Sequence, residues 1–115
     1  MYPDIDYIKI TMYIIITTTS DSKKILNSIT KEIFNKKLSP CIQFSKNISS
    51  QYIWKDKIEN DDEFKLDIKT LSIFENDIVA IIEKMHNYDI PEIFSYNIKL
   101  LSAEYEVWFK NNIKS

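Results

Sequence analysis

Four side chains in this sequence are of the types that bind soft or borderline metal ions, namely Cys41, Met85, His86 and Glu92. Cu(I) prefers thiolate, thioether and imidazole ligands, whereas carboxylate oxygens suit harder ions. His86 is the only histidine and Cys41 the only cysteine, so a site must take single donors from separate parts of the chain. We predict a metal site made of these four residues, which the fold or several subunits must bring together.

Each of these donors also has a purely structural explanation. A lone cysteine at the start of a strand is usually a small buried hydrophobe, and Met85 closes the apolar stripe of a helix. A protonated histidine at a helix C-terminus interacts favourably with the helix dipole, which alone accounts for His86. Weak binding of Cu(II) or Zn(II) by His86 and neighbouring carboxylates is the simplest form of metal binding that these explanations allow.

Two catalytic arrangements of the candidate residues are alternatives to metal binding. Cys41 and His86 are the types of residue that form a nucleophile–base pair, but we expect them to meet only across subunits. Glu59 and Glu92 are candidates for an acid–base pair, yet nothing in the sequence sets their separation. We therefore predict that the protein is not an enzyme. We also predict that it requires no cofactor, apart from a possible copper or other divalent metal ion.

Composition and charge exclude several classes of function. The chain has 115 residues, enough for one domain, and carries a net charge of −2 without any arginine. Its lysines are spread rather than clustered, which argues against partners such as nucleic acid or anionic membranes. Glycine is absent, which excludes the glycine-rich loops that cradle nucleotides. The single cysteine and the lack of a targeting segment predict a cytoplasmic protein.

The first part of the chain gives a strand followed by a helix. Residues 7–18 are rich in β-branched and aromatic side chains, which predicts the first strand, with a loose extension before it. Residues 20–22 supply candidate N-caps for a helix. Isoleucine, leucine and phenylalanine then recur at helical spacing until about Lys37.

The middle of the chain predicts two further strands. Residues 41–48 form one. Residues 51–54 and the segment from Ile58 onward flank a turn at residues 55–57, which predicts a hairpin, and Asp56 tolerates a left-handed backbone there in place of glycine. Residues 63–69 alternate strictly between charged and apolar side chains. In a monomer the charged face would be solvated, whereas its charges would have to pair if other subunits covered it.

The last part predicts a helix, a strand and a final helix. Ser72 and Glu75 have the spacing of a capping box that starts the second helix, and residues 86–87 lie at its end. Residues 92–100 predict the last strand, and Ser102 caps a C-terminal helix that carries Trp108. The order βαββαβ plus this helix predicts an α+β, ferredoxin-like fold with an antiparallel sheet.

The predicted domain organisation is simple. Residues 1–11 form an N-terminal extension with the start of the first strand, and residues 12–115 form a single domain. Both main helices are expected on one face of the sheet, which leaves the other face available for association with further copies.

Large aromatic residues are the other candidates for function. Tyr and Trp are enriched at subunit interfaces, where they bury much surface and keep a polar atom accessible. We predict an intersubunit cleft or interface that contains Tyr52, Trp54, Glu59, Lys69, Tyr88 and Trp108. The alternative is a ligand in an intersubunit cleft lined by Tyr52, Trp54, Lys69, His86 and Glu92.

Several short motifs in this order resemble the CutA family of divalent-ion tolerance proteins. They are SPCIQ at residues 39–43, the Tyr52/Trp54 pair that leads into Lys57-Ile58-Glu59, Lys69-Thr70, H-x-Y-x-x-P-E at residues 86–92, and Trp108. The resemblance runs from about residue 12 to 113 and rests on the order and spacing of the motifs.

The resemblance implies a tight homotrimer of ferredoxin-like subunits and a role in copper or divalent-cation tolerance, with copper binding but no defined reaction. The similarity of such trimers to PII signalling proteins offers a second hypothesis, a trimeric sensor or scaffold that binds a small effector or a partner protein at intersubunit clefts. Two positions depart from the family pattern. Asp56 stands in a turn where glycine is common, and Thr17 stands where some members have a cysteine, which weakens any site that needs that thiolate.

Overall fold

The computed structural model describes residues 12–115, in which it places four strands and three α-helices. The predicted extension 1–11, and with it the beginning of the predicted first strand, lies outside the described residues. The strands form one antiparallel sheet in the order β2-β3-β1-β4. The elements are β1 (Tyr13–Ser20), α1 (Lys23–Asn35), β2 (Cys41–Trp54), β3 (Lys57–Leu71), a 3₁₀ turn (Ser72–Phe74), α2 (Glu75–Met85), β4 (Ile93–Ile98) and α3 (Ala103–Asn111).

The main core lies between the sheet and the helices α1 and α2, as the apolar spacing predicts. The stripe of α1 buries Leu26, Ile29 and Ile33, and the stripe of α2 buries its isoleucines in the same cluster. Ser22 caps α1, because its side chain accepts a hydrogen bond from the backbone N–H of Ile25. This confirms the predicted N-cap segment and the helix that follows it.

The second face of the sheet is less open than the sequence predicts, because α3 packs across one end of it. Phe109 is fully buried there against Tyr13 and Leu71. The hydroxyl of Tyr13 donates a 2.7 Å hydrogen bond to Glu106 on the same helix. Ser102 caps α3 through the N–H of Tyr105, as predicted.

β2 and β3 form the predicted hairpin, and each is one long strand where the sequence predicts shorter segments. Pairing is continuous from Cys41 opposite Lys69 to Trp54 opposite Lys57, apart from a bulge between Ser45 and Ile48. A bulge leaves one extra residue unpaired and bends the strand locally, and here pairing resumes at Ile48 and continues to Trp54. Residues 51–60 extend beyond the helices and are all exposed.

The hairpin turns without glycine. Its two central residues, Lys55 and Asp56, have φ values of 50° and 65°. A two-residue turn with both φ values positive matches the twist of the flanking strands. The left-handed conformation predicted for Asp56 is therefore confirmed, and Lys55 shares it.

Two local predictions for the second half were wrong. Ser72 begins a 3₁₀ turn and its side chain caps nothing, so there is no capping box; Glu75 instead accepts a hydrogen bond from Ser95 on β4. The last strand is also shorter than residues 92–100. It ends at Ile98, opposite Tyr13, where β1 begins.

Candidate functional site

His86 lies at the end of α2, and both of its ring nitrogens are engaged. Nε2 is 2.7 Å from the carbonyl oxygen of Thr19, and Nδ1 accepts a 3.0 Å hydrogen bond from the backbone N–H of Tyr88. A carbonyl oxygen only accepts, so Nε2 carries the proton and the ring is the neutral Nε2–H tautomer. These two bonds, rather than a charge at the helix dipole, explain the position of the ring.

Tyr88 extends this arrangement towards β3. Its hydroxyl donates to Glu63 at 2.7 Å and accepts from the backbone N–H of Asp21 at 2.8 Å. Burial first, and then the hydrogen bond to Glu63, raise the pKa of the Tyr88 hydroxyl above its ordinary range. Glu63 is only 7% exposed. The prediction of a solvated charged face is therefore wrong at this residue, because the loop after α2 covers it.

The rest of the loop is tied to the end of β1. Thr18 donates a 2.7 Å hydrogen bond to the carbonyl of Glu92, and Thr19 donates to the Glu92 carboxylate at 3.2 Å. Asn87 bridges Ser20 and Asp21 through its side-chain amide. We call this set the β1–loop network; it comprises Thr18, Thr19, Ser20, Asp21, Glu63, His86, Asn87, Tyr88 and Glu92.

Charges elsewhere on β3 are also matched within the chain. Lys65 lies 3.6 Å from Asp67, which accepts a 2.7 Å hydrogen bond from Thr17. The ammonium of Lys69 lies 5.6 Å from the centre of the Tyr105 ring. These charges on the second sheet face therefore already have partners, which lowers the free-energy cost of burying that face against another chain.

Cys41 lies far from His86 within the subunit. Cys41 on β2 is paired with Lys69 on β3, and Lys69 is paired with Ile15 on β1. His86 is hydrogen-bonded to Thr19, four residues further along β1. Four residues along a strand span about 13 Å. Within residues 12–115 no three His, Cys, Asp or Glu side chains are grouped as metal ligands.

The other two predicted donors differ in position. Met85 packs against the main core, which leaves its thioether among hydrocarbon side chains. Glu92 is exposed and shares Thr19 with His86 as a neighbour. A single chain thus places His86 and Glu92, but not Cys41, next to the same residue, and the four-donor site stays a prediction.

Tyr105 lies beside Cys41 and Lys69. Its hydroxyl is buried and makes no hydrogen bond of good geometry with the described residues. Burial, followed by the nearby Cys41 thiol, raises the pKa of Tyr105 to about 12. Trp108 stacks obliquely on the same ring, with 5.4 Å between centres, and remains 43% exposed.

The predicted interface residues fall into separate parts of the subunit. Tyr52, Trp54 and Glu59 lie on the exposed outer half of the hairpin. Trp108 lies on α3 with Lys69 beside that helix, and Tyr88 lies in the β1–loop network. The hydroxyl of Tyr52 donates to Asp61, and this bond raises the pKa of Tyr52 to about 12. One chain does not close a cleft from these residues, so the intersubunit cleft remains a prediction.

Sequence reasoning missed most of the β1–loop network. Thr19, Asp21, Glu63 and Asn87 were not selected, because each is a common residue for a strand end, cap or turn. The available signal was the polar run Thr17-Thr18-Thr19-Ser20, which ends a strand that is otherwise apolar. Buried polar groups need partners, and this run predicts that something polar covers it.

Comparison with known proteins identifies the family. The family model described as "CutA1 divalent ion tolerance protein" matches residues 14–112, nearly the whole domain. The chain belongs to this family. The resemblance found in the short motifs is thereby confirmed.

Relatives with known names and structures agree with the assignment. The chloroplastic protein CutA of Arabidopsis thaliana is 31% identical over 92% of this chain and 56% of its own length. A protein of Encephalitozoon cuniculi, named as a probable divalent-cation tolerance protein, is 34% identical over 70% of this chain and 69% of its own length. The crystal structure of CutA1 from Oryza sativa is similar with a TM-score of 0.85 and 27% identity, covering 93% of this chain and 98% of that one.

The matches also show how much of each relative this chain spans and what the relatives are named for. This chain spans little more than half the length of several curated relatives, such as the Arabidopsis protein at 56%. The family description and the name of the Encephalitozoon protein refer to divalent-ion or divalent-cation tolerance and do not name a reaction. Among residues 12–115, no helix has the length and hydrophobicity needed to cross a membrane.

Proposed function

We propose that this CutA protein acts in tolerance of divalent cations as a cytoplasmic homotrimer that binds copper or similar ions without catalysing a reaction. The family match over residues 14–112 carries the proposal. A relative in Encephalitozoon cuniculi is named for divalent-cation tolerance, which gives the function its ligand class.

The geometry limits how an ion would be held. His86 and Glu92 lie next to the same residue, Thr19, and offer one imidazole and one carboxylate. This pair suits Cu(II) or Zn(II) better than Cu(I). Using Nδ1 of His86 would break its hydrogen bond from Tyr88, so binding by a single subunit should be weak. A thiolate from Cys41 would have to come from another copy.

Calorimetric titration with Cu(II) tests this site. We expect saturable binding at a fixed ratio per subunit, weakened by His86→Ala and by Glu92→Gln. Cys41→Ser will weaken it only if a neighbouring subunit supplies the thiolate. Glu83→Gln, an exposed carboxylate elsewhere on α2, is the matched control. Identical saturable isotherms for the parent and all of these variants would remove these residues from the site. A parent protein that does not bind Cu(II) would leave metal tolerance without a direct binding step.

Exposed apolar side chains on the chain support the proposed trimer. Ile53 and Ile58 are 67% and 70% exposed, and the edge strand β4 shows Phe94 and Tyr96 at 46% and 48%. Monomeric proteins rarely leave such apolar groups together in the open. Light scattering at micromolar concentration should give three times the mass of one chain, and a monomer would contradict the assembly.

A PII-like sensor or scaffold is the second candidate. It is favoured by the exposed aromatic pair Tyr52 and Trp54 at 41% and 44%, which lies on the face of the hairpin away from the helices. A thermal-shift screen of nucleotides and metabolites should then find a ligand whose effect is abolished by Trp54→Ala or Lys69→Ala. A ligand that stabilises both variants as much as the parent would contradict a cleft at these residues.

A further inference from the structure

A groove with a volume of about 440 Å³ lies where the pairing of β1 with β4 ends. It is lined by the start of β1, by residues 97–101 and by Glu106 on α3. Tyr13 opposite Ile98 is the last pair of the β1–β4 ladder. No backbone hydrogen bond joins residues 99–101 to another residue within 12–115. The groove therefore offers backbone donors and acceptors that no described residue pairs with.

Leu101 is the exposed apolar residue of this groove, with 93% of its surface accessible. Ile98 and Leu100 pack against the cluster beneath α3, as alternate residues of an extended chain do, so Leu101 points to the opposite side of the sheet. That side carries α2, but the helix begins at Glu75, which is hydrogen-bonded to Ser95, and runs from there towards the β1–loop network. The helix therefore leads away from Leu101 and leaves it exposed.

The register of the β1–β4 ladder predicts what would lie opposite Leu101. The ladder is antiparallel, so each step back along β1 is matched by one step forward along β4. Continued beyond Tyr13 and Ile98, it would place Ile10 opposite Leu101. Ile10 lies four residues before Ile14, so in an extended chain both point to the side that carries the helices, which is the side of Leu101.

We propose that residues 8–11 of the same chain bind in this groove as a continuation of β1. This segment precedes the described residues, and its Ile10 would cover Leu101. Residues 99–102 would supply the backbone partners. The contact uses the side of β4 that already faces β1. It therefore leaves the outer edge of that strand free and does not rest on the proposed trimer.

The covalent connection of the segment to β1 favours this occupant. Met12 lines the groove, so the segment reaches the chain at the wall of the groove. A short connection gives a tethered segment an effective concentration in roughly the millimolar range, which a free peptide would have to match. β3 does not compete for the segment, because Ser72 donates a 2.9 Å hydrogen bond to the carbonyl of Met12 and the chain then enters the 3₁₀ turn and α2.

The charge of the segment also matches the groove. In an extended chain Lys9 points to the opposite side from Ile10, which is the side on which α3 packs. The first turn of α3 contains Glu104 and Glu106, and Glu106 lines the groove. Lys9 would therefore lie near carboxylates, while Ile8 and Ile10 would face the apolar surface.

Disulfide formation tests the register directly. In a Cys41→Ser background, which removes the only native cysteine, Ile10→Cys is combined with Leu101→Cys and the protein is oxidised with diamide. After unfolding and alkylation, mass spectrometry should show single chains that carry no alkyl group. Thr11→Cys with Leu101→Cys is the matched control and should link at least tenfold more slowly, because residue 11 points to the opposite side. A disulfide between two chains would assign the groove to the segment of a neighbouring copy and overturn the contact within one chain.

Amide hydrogen exchange of residues 99–101 tests the contact without a disulfide. Ile10→Asp should speed this exchange at least tenfold, because a carboxylate opposite Leu101 cannot be buried there without a partner and opens the pairing. Ile5→Asp, which lies before the proposed segment, should exchange like the parent. Equal exchange in the parent and Ile10→Asp, or linkage no faster than in the cysteine control, would overturn the proposal whatever the association state of the protein.

Discussion

The β1–loop network and the outer half of the hairpin are both rich in polar and aromatic residues, yet they differ in one respect. In the network, His86, Tyr88 and Glu63 each have hydrogen-bond partners in the same chain. On the hairpin, residues 51–60 are all exposed, and Ile53 and Ile58 are 67% and 70% exposed. The network is satisfied within one chain, whereas the outer half of the hairpin leaves its side chains exposed.

This difference changes which region is expected to interact. The only histidine attracts attention in the sequence, but its hydrogen bonds hold a loop against β1. The tip of the hairpin contains no unusual residue, yet it presents apolar surface that water solvates poorly. Substitutions in the network should therefore affect the stability of the subunit, and substitutions on the hairpin should affect assembly.

The largest effect is expected for His86→Ala. It leaves the carbonyl of Thr19 and the N–H of Tyr88 without their partners in a partly buried place. We expect the free energy of unfolding to fall by about 2–4 kcal/mol, since each unsatisfied group costs about 1–3 kcal/mol. Urea denaturation at one fixed protein concentration measures it. A loss under 0.5 kcal/mol would mean that the ring does not hold the loop.

Trp54→Ala should have the next largest effect, and on association rather than on the subunit. Truncation of an aromatic anchor at an interface costs about 1.5–3 kcal/mol, or roughly 10- to 150-fold in the dissociation constant. Sedimentation over a range of concentrations measures it. Val107→Ala, on an exposed part of α3, is the control, and equal effects of the two variants would place Trp54 outside the interface.

Tyr88→Phe tests the β1–loop network through the pH dependence of the free energy of unfolding. It removes the hydroxyl that serves Glu63 and Asp21, at a cost of about 1–2 kcal/mol near neutral pH. Burial raises the pKa of Tyr88 above its ordinary 10.0, so the folded state favours the neutral phenol. That stabilisation is complete below pH 10 and is lost as the pH rises through the raised value.

The parent should accordingly lose more stability than Tyr88→Phe when denaturation is repeated above pH 10. Tyr13 has a raised pKa in both proteins, so its contribution cancels in the difference. Parallel pH profiles for the two proteins would show that the Tyr88 hydroxyl is not held in its neutral form by the fold.

The smallest effect is expected at the hairpin turn. Asp56 has a φ of 65°, a conformation that glycine adopts without steric cost. Asp56→Gly should stabilise the hairpin by about 0.5–1 kcal/mol, seen as slower amide hydrogen exchange in residues 51–60. Lys57→Gly, at a position without a positive φ, is the control and should speed exchange. Slower exchange in both variants would contradict the turn geometry.

Residue patterns in the sequence predicted which helices and strands form better than they predicted where each one begins and ends. The apolar spacing in α1 and α2 predicted helices that the structure contains, because a stripe of isoleucines has only one way to be buried. The capping box predicted at Ser72 is absent, and Glu75 instead accepts a hydrogen bond from Ser95 on β4. The local spacing of residues does not show that a strand distant in the sequence supplies such a partner. The length of the hairpin was missed because polar residues outside the predicted segments, such as Ser49 and Asp62, pair with each other.

For the candidate site, too, the sequence predicted the types of residue better than their positions in space. Cys41, Met85, His86 and Glu92 were chosen by chemical type, and the fold brings only His86 and Glu92 near the same residue, Thr19. The motifs SPCIQ and H-x-Y-x-x-P-E carried the family assignment, since order and spacing along a chain are properties of the sequence itself.

The sequence by itself determined the βαββαβ order, the faces of the helices and the family, because periodicity and motif spacing are local and one-dimensional. Only the tertiary structure decided that His86 is satisfied by backbone partners, that Glu63 is buried under Tyr88, and that the hairpin projects beyond the core. Hydrogen bonds between residues 67 positions apart, such as that of His86 to Thr19, depend on the sheet that brings their segments together. No local pattern contains that information.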